Sequence, residues 1–220
     1  MKILALEFSS PMRGASVFAG NGVTGRACER GTREMKPFAL IEVALREAGI
    51  GRDELDLIAV GLGPGSYAGI RIAMAIALGW NLARGTRLVG ISSADCVAHQ
   101  FNGEGRFSIM IDAQRNEFFV ARYETAPRRD PTQRFSTKLI EPFHLMTEAD
   151  RERQGAGEPF LRPDVLDHGP GWFALAPDSA QLAHLAAEMF FMPVEKHPLE
   201  PIYLRKAQFV KAPLPKFGGL

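Results

Sequence analysis

The stretch from Leu57 to Arg84 constrains the fold of this chain more than any other part of the sequence. It begins with a short apolar run without alternation, Leu57 to Leu62, which is typical of a strand covered on both faces in an α/β sheet. Gly63-Pro64-Gly65 then interrupts the run and allows a tight turn. An apolar helix follows, and Ser66 is placed to accept hydrogen bonds from its first amide groups. The pattern therefore predicts a buried strand, a glycine turn and a buried helix in direct succession.

The glycine turn supports two interpretations. Free amide groups and the positive end of the helix dipole would favour a bound anion such as phosphate. The turn is not a Walker loop, because Ser66 and Tyr67 follow Gly65 where that loop needs Lys and then Ser or Thr. Alternatively, the glycines only permit a sharp connection in which strand and helix pack closely. The sequence leaves both interpretations open.

The predicted helix from about Ala68 to Arg84 is apolar nearly all round, with only Arg71 and Asn81 clearly polar. It is shorter than the roughly 20 residues that cross a bilayer, so burial in protein on more than one side is expected. A second predicted helix, from Pro37 to Ala48, carries two apolar stripes. Either the two helices pack on each other within the chain, or they present a shared surface to a second protein.

The composition is that of an ordinary globular chain, with 220 residues, 46% hydrophobic, 23% charged and a net charge of +1. A chain of this length buries a core without disulfide or metal support. Cys28 and Cys96 are isolated, so neither a disulfide framework nor a zinc site is indicated. The near-neutral charge argues against broad, sequence-independent binding of nucleic acid. Because only four apolar residues precede Glu7 and no transmembrane run follows, we expect a cytoplasmic chain without membrane association.

Further strands and helices extend this pattern through the chain and predict an α/β fold. Ser92 to Asp95 resembles a helix start, and a later helix is predicted from Asp178 to Met192. The stretch from Ala126 to Ser136 is predicted to be an exposed loop. We divide the chain into an N-terminal lobe, 1–104, and a C-terminal lobe, 105–220. The other predicted strands are Ile3–Phe8, Ala15–Ala19, Val23–Cys28, Arg87–Ile91, Phe107–Asp112 and Glu117–Glu124.

Five motifs occur in an order that is specific to one family. They are Ile3-Leu-Ala-Leu-Glu-Phe-Ser-Ser10, Gly63-Pro-Gly-Ser-Tyr-Ala-Gly-Ile-Arg71, Val89-Gly-Ile-Ser-Ser93, Ile111-Asp-Ala-Gln-Arg-Asn-Glu117 and Pro201-Ile-Tyr-Leu-Arg205. In these motifs the chain resembles the TsaB family, also called YeaZ. The resemblance spans nearly the whole chain and is weakest from about Thr125 to Lys196. It implies an actin-like, Hsp70-like fold (ASKHA, ribonuclease H-like) with two α/β lobes.

The resemblance also implies a function. TsaB-like proteins are noncatalytic subunits in the formation of threonylcarbamoyladenosine at position 37 of tRNAs that read codons starting with A. The implied partners are a catalytic TsaD-like subunit, a TsaE-like ATPase and tRNA through the complex, and a homodimer can use the same surface. No cofactor is expected for this subunit, although the complex can bind ATP or ADP. The residues expected to face the partner are Phe38, Ile41, Leu45, Ile70, Ala73, Met74, Ala77 and Trp80.

An actin-like fold further implies a nucleotide or anion site beside the first strand. The candidate residues are Glu7, Ser9, Gly63, Gly65 and Ser66. Glu7 stands where the family usually has Asp, and Phe8 stands where a small residue is usual, so Phe8 is expected to crowd a phosphate that approaches the turn.

Two other functions stay open from the sequence. One is a free-standing, ATP-binding small-molecule kinase of the actin-like superfamily that uses Glu7 and the glycine turn. Such an enzyme needs a second phosphate loop, which the stretch from Asp167 to Gly171 imitates only poorly. The other is a homodimeric scaffold without a TsaD-like partner.

The sequence predicts neither a metal site nor a catalytic residue. The histidines are His99, His144, His168, His184 and His197. No two of them are separated by three residues, so the His-x-x-x-His metal motif of the catalytic relative cannot form. Asp112, Arg115 and Glu117 are expected to lie in a solvated hairpin turn rather than to form an acid–base pair. Ser66 has no Gly-x-Ser-x-Gly elbow, so helix capping is its expected role.

Overall fold

A computed structural model describes residues 1–31, 34–127, 135–154, 158–165, 167–169, 172–190 and 199–204. It contains two five-stranded sheets with helices packed against them. The two-lobed α/β fold that the sequence predicts is therefore confirmed. Among the described residues, no helix combines the length and the apolar character needed to span a membrane.

The first sheet is built around its first strand. Its strands are β1 (Lys2–Glu7), β2 (Met12–Ala19), β3 (Gly22–Arg30), β4 (Leu57–Gly61) and β5 (Arg87–Ile91). Their order in the sheet is β3-β2-β1-β4-β5. β1 pairs antiparallel with β2 and parallel with β4, and β4 pairs parallel with β5. All five residues of β4 are buried, as the unbroken apolar run predicted.

Helices cover both faces of this sheet. The α-helices among the described residues are α1 (Pro37–Ala48), α2 (Tyr67–Arg84), α3 (Ser93–Gln100), α4 (Glu148–Gln154) and α5 (Ser179–Met189). Leu4 and Leu6 of β1 join one core cluster with α1 and α2. Ile3 and Ala5, which alternate with them, join a second cluster with α5 on the opposite face. The predicted helix from Asp178 thus returns from the C-terminal part of the sequence to pack on the first sheet.

The second sheet forms the other lobe. Its strands are β6 (Gly105–Gln114), β7 (Glu117–Pro127), β8 (Phe135–Thr147), β9 (Phe160–Arg162) and β10 (Trp172–Ala174). Their order is β10-β9-β6-β7-β8. Residues of α3 pack on β6 and β7 in a third core cluster, and the Tyr123 hydroxyl donates to Asp95 Oδ1 at 2.9 Å. This contact joins the end of the first lobe to the second sheet.

Most of the second lobe differs from the sequence prediction. At the two ends of the predicted loop from Ala126 to Ser136, β7 continues to Pro127 and β8 begins at Phe135; positions 128–134 lie outside the described residues. β8, α4, β9 and β10 were not predicted. β9 and β10 have three residues each and pair in parallel with each other, so distant strands rather than local sequence define them.

The structure corrects the predicted partner-facing residues. Six of the eight are buried in the core of the chain itself, with at most 8% of their surface exposed; they are Ile41, Leu45, Ile70, Ala73, Met74 and Ala77. The last four are spaced i, i+3, i+4 and i+7, so they lie on one side of α2, and that side packs on the sheet. Phe38 is exposed and Trp80 is partly exposed. On α2, only another side of the helix is available to a partner.

This correction predicts that Ala73→Arg unfolds the chain. Ala73 is 0% exposed, so the variant places an unpaired cation in the core, which costs about 3 kcal/mol or more. Ala75→Arg, two residues away on the exposed side of α2, is the control and is expected to retain the wild-type stability. Urea unfolding followed by circular dichroism measures both. An Ala73→Arg variant as stable as the control would contradict the assignment of this side of α2 to the core.

Candidate functional site

A cleft of about 820 Å³ lies between the two lobes. The segment from Ser9 to Pro11, which follows β1, and the segment from Pro64 to Tyr67 form its first-lobe wall. Ile111, Asp112, Phe119 and Asp164 line it from the second lobe, and the segment from Ile202 to Leu204 lines it as well. The cleft thus lies where the exit of β1, the glycine turn and the second sheet meet.

The glycine turn packs directly on the exit of β1. The Ser66 amide donates to the Ser9 carbonyl oxygen at 2.6 Å. A Cβ atom at Gly65 would overlap that same oxygen, and one at Gly69 would overlap the Phe8 carbonyl oxygen. Ser66 Oγ accepts from the Gly69 amide at 3.2 Å, which confirms the predicted helix cap. The geometry therefore supports close packing as the role of these glycines, and two amide groups at the helix start already have acceptors within the chain.

The buried side chain of Glu7 stabilises this arrangement of the glycine turn and the exit of β1. Glu7 is 0% exposed. Its Oε1 accepts from the Ser9 amide at 2.8 Å, and its Oε2 accepts from the Ser93 hydroxyl at 2.8 Å. Ser93 Oγ in turn accepts from the Gly63 amide at 3.1 Å, and the Ser93 amide donates to the Gly63 carbonyl at 2.8 Å. We call Glu7, Ser9, Gly63 and Ser93 the Glu7 network.

The Glu7 network is electrostatically unusual because its acid is buried. Desolvation raises the pKa of Glu7, and the hydrogen bonds from Ser9 and Ser93 oppose that rise. Burial also raises the pKa of the neighbouring Cys96 thiol, and the charge of Glu7 adds to the effect. The sequence indicated only a helix start at Ser93. Because Ser93 lies 86 residues from Glu7 along the chain, no sequence pattern indicated their contact.

Three of the five residues predicted to bind a nucleotide or an anion line the cleft, and two do not. Ser9, Gly65 and Ser66 line the cleft. Glu7 and Gly63 are buried and are not part of the cleft lining. Anion binding by the three cleft residues stays a prediction.

The expectation that Phe8 crowds a phosphate at the glycine turn is wrong. Its side chain is 0% exposed and belongs to the core cluster beneath α1 and α2. It therefore does not crowd the glycine turn, because alternation along the extended chain directs it to the core rather than to the cleft.

The second-lobe wall contains a charged cluster. Arg162 Nε and a terminal nitrogen donate to the two oxygens of Asp164 at 3.1 and 2.8 Å. Asp164 Oδ2 also accepts from the Asp112 amide at 3.0 Å. Asp112 and Arg115 are exposed, and Arg115 and Asn116 both have φ of 61° in the turn between β6 and β7. The predicted solvated hairpin turn is confirmed for Asp112 and Arg115, whereas Glu117 is partly buried. Within the described parts of the chain, no group of three or more metal-ligating side chains is placed to hold an ion.

A second candidate surface lies between α1 and α2. It is an apolar groove of about 630 Å³, which we call the α1–α2 groove. The Trp80 ring nitrogen donates to the Arg52 carbonyl at 3.2 Å and so fixes the ring in the wall. At Gly79 an added Cβ would meet nothing within 4 Å. The lining residues are Pro37, Phe38, Arg52, Ile72, Ala75, Ile76, Gly79, Trp80, Ala83 and Arg84.

The apolar surface continues beyond the groove along α2. Leu78 is 48% exposed and Leu82 is 89% exposed. They are spaced i, i+4, so both lie on the side of α2 that faces away from the sheet. Large aliphatic side chains this exposed on a helix that already borders an apolar groove extend the candidate surface along α2. The sequence indicated that α2 is buried on two sides but not which residues form the second side.

Similar proteins are known in several organisms. Residues 29–133 match the family model described as TsaD: tRNA N6-adenosine threonylcarbamoyltransferase. An uncharacterized protein of Mycobacterium leprae is 30% identical over 74% of this chain, and the chain spans only 42% of that protein's length. The tRNA threonylcarbamoyladenosine biosynthesis protein TsaB of Escherichia coli is 25% identical, over 93% of this chain and 95% of that protein.

A solved structure shares the fold. YeaZ from Pseudomonas aeruginosa superposes with a TM-score of 0.72, with 21% identity, over 92% of this chain and 99% of that one. The correspondence covers both lobes, including the second lobe, where the sequence motifs are sparse.

The Glu7 network predicts a pH-dependent stability. Burial raises the pKa of Glu7 above its ordinary value of 4.5, so the folded chain retains a proton that the unfolded chain has already released. The free energy of unfolding therefore falls as the pH rises from that ordinary value through the folded pKa. The Gln side chain of the Glu7→Gln variant cannot ionise, although its amide group still accepts from Ser9 and donates to Ser93. In this variant the free energy of unfolding is therefore expected to lack the decrease that Glu7 causes. Urea unfolding at about pH 5 and about pH 8 compares the two proteins. If the free energy of unfolding changed equally with pH in both proteins, the raised pKa of the buried Glu7 would be contradicted.

Proposed function

This chain belongs to the TsaB (YeaZ) family, and from this premise we propose that it is a subunit of the complex that forms threonylcarbamoyladenosine at position 37 of tRNAs that read codons starting with A. The observation that carries the proposal is the similarity to a TsaB protein over 93% of this chain and 95% of that protein. The solved YeaZ structure adds that both lobes have the corresponding fold. We place this activity in the cytoplasm.

Within that complex we propose a noncatalytic role. The support comes from the place of Glu7, the acid at the end of β1. In the kinase alternative this acid would have to reach a nucleotide-bound cation, but it is 0% exposed and both of its oxygens accept hydrogen bonds from the chain itself. The geometry therefore disfavours the free-standing kinase. The TsaD-like partner would supply the chemistry, and any ATP or ADP would be bound by the complex.

We further propose that the α1–α2 groove and the adjoining leucines of α2 dock the TsaD-like subunit. The support is the combination of an apolar groove with Leu78 and Leu82 left exposed beside it. Gly79 lines the groove, and an added Cβ there would meet nothing within 4 Å, so a partner helix can approach the backbone of α2 closely. A homodimer would use the same surface and would compete with the TsaD-like subunit, whereas a TsaE-like ATPase would join the assembled pair.

Gly79→Arg tests the docking surface. Arg is a better helix former than Gly and Gly79 is exposed, so the variant is expected to fold. Its side chain would place a charge in a dry interface and weaken binding of the purified TsaD-like protein from the same organism by about ten-fold or more. Isothermal titration calorimetry or analytical size exclusion measures the loss.

The matched control is Glu188→Arg. Glu188 is exposed on α5, which packs on the opposite face of the first sheet, so this variant is expected to bind as the wild type does. If Gly79→Arg binds as tightly as Glu188→Arg, the groove is not the docking surface. If neither the wild type nor the control binds the TsaD-like protein, the homodimeric scaffold becomes the better description.

A further inference from the structure

An exposed aromatic stack lies at the mouth of the cleft between the lobes. The rings of Tyr67 and Tyr203 have centroids 5.4 Å apart and planes inclined by 27°. Their residues are 59% and 48% exposed. Both line the cleft, Tyr67 as the first residue of α2 and Tyr203 directly after Ile202, whose amide donates to the Leu62 carbonyl at 2.9 Å. The stack therefore leaves aromatic surface exposed to solvent.

Arg71 adds a positive charge to the stack. Its guanidinium carbon lies over the Tyr67 ring, 4.9 Å from the centroid, and the same side chain donates to the Tyr67 hydroxyl. A second exposed cation, Arg115, lies in the hairpin turn three residues beyond the cleft residue Asp112. Aromatic faces flanked by arginine are the arrangement by which proteins hold single-stranded nucleic acid, because every base has a face to stack and every phosphate a negative charge.

The interior of the cleft is suited to a base better than to a phosphate. The amides of Ser66 and Gly69 at the start of α2 already donate to acceptors in the chain. On the second-lobe wall, Asp164 is paired with Arg162, whereas Asp112 is exposed. The carboxylate of Asp112 repels a phosphate but can accept a hydrogen bond from the exocyclic amino group of adenine or cytosine. Arg71 beside the stack, by contrast, attracts a phosphate that stays outside.

We propose that the Tyr67–Tyr203 stack is a platform for an unpaired base of single-stranded RNA, with Arg71 contacting the backbone. The base stacks on the exposed tyrosine surface at the cleft mouth, and its phosphates remain in solvent beside the arginine. This arrangement favours a base in an RNA loop, whose phosphates stay in solvent, over a free nucleotide, whose own phosphates would have to enter the cleft beside Asp112. The inference rests on the proposed function, which supplies tRNA as the RNA that the complex meets.

Fluorescence anisotropy with a labelled anticodon stem–loop RNA, unmodified and with adenosine at position 37, tests the platform. The full chain is titrated at low salt. Tyr67→Leu and Tyr203→Leu, which remove a ring but keep an apolar side chain, are each expected to weaken binding by about ten-fold. Tyr67→Phe and Tyr203→Phe keep the rings and are expected to bind within about two-fold of the wild type. Arg71→Gln is expected to reduce the slope of log affinity against log salt by about 0.7.

Three results would overturn the inference. One is equal RNA binding by the Leu and Phe variants, provided that circular dichroism shows both to be folded. The second is no detectable RNA binding by the wild-type chain, either alone or joined to its TsaD-like partner. The third is complete displacement of the RNA by adenosine monophosphate in modest excess, which would make the cleft a site for a free nucleotide.

The test also separates this inference from the proposed function. If depletion of the protein removes threonylcarbamoyladenosine from tRNA but the Leu variants bind RNA normally, only the platform is contradicted. If depletion leaves the modification intact, the proposed function fails irrespective of RNA binding.

Discussion

The buried carboxyl group of Glu7 connects three segments on which both candidate surfaces depend. One oxygen holds the Ser9 amide at the exit of β1, and the other holds Ser93 at the start of α3. Ser93 Oγ in turn accepts from the amide of Gly63, the first residue of the glycine turn. The turn then sets where α2 begins. A buried acid of this kind stabilises the fold only while its hydrogen bonds are complete, because an unsatisfied carboxyl in the core is costly.

Helix α2 has two roles. Its buried side, centred on Ile70 and Ala73, packs on the first sheet and fixes the orientation of the helix. Its opposite side borders the α1–α2 groove, and its first residue, Tyr67, reaches the cleft between the lobes. A partner on the groove and an RNA base at the cleft would therefore contact the two ends of one rigid element. The Glu7 network positions that element for both.

Local chemistry was predictable from the sequence, and long-range contacts were not. The strand, the turn, the helix and its Ser66 cap follow from an apolar run, glycines and a serine that are adjacent in the chain. The buried side of α2 could not be predicted, because a helix that is apolar nearly all round has no polar face to mark the solvent. The burial of Glu7 depends on Ser93, 86 residues away. In the second lobe, β9 and β10 are three residues long and exist through pairing with distant strands, so no local pattern predicts them.

The central claim is that this chain supports modification of tRNA through an assembly with a TsaD-like enzyme. Nucleoside mass spectrometry of bulk tRNA tests it most directly, in cells depleted of the protein and in the same cells after re-expression of the wild-type chain. The account predicts that threonylcarbamoyladenosine falls on depletion and returns on re-expression. An unchanged level, with depletion verified, would contradict the account and direct attention to ATP-dependent chemistry on small molecules.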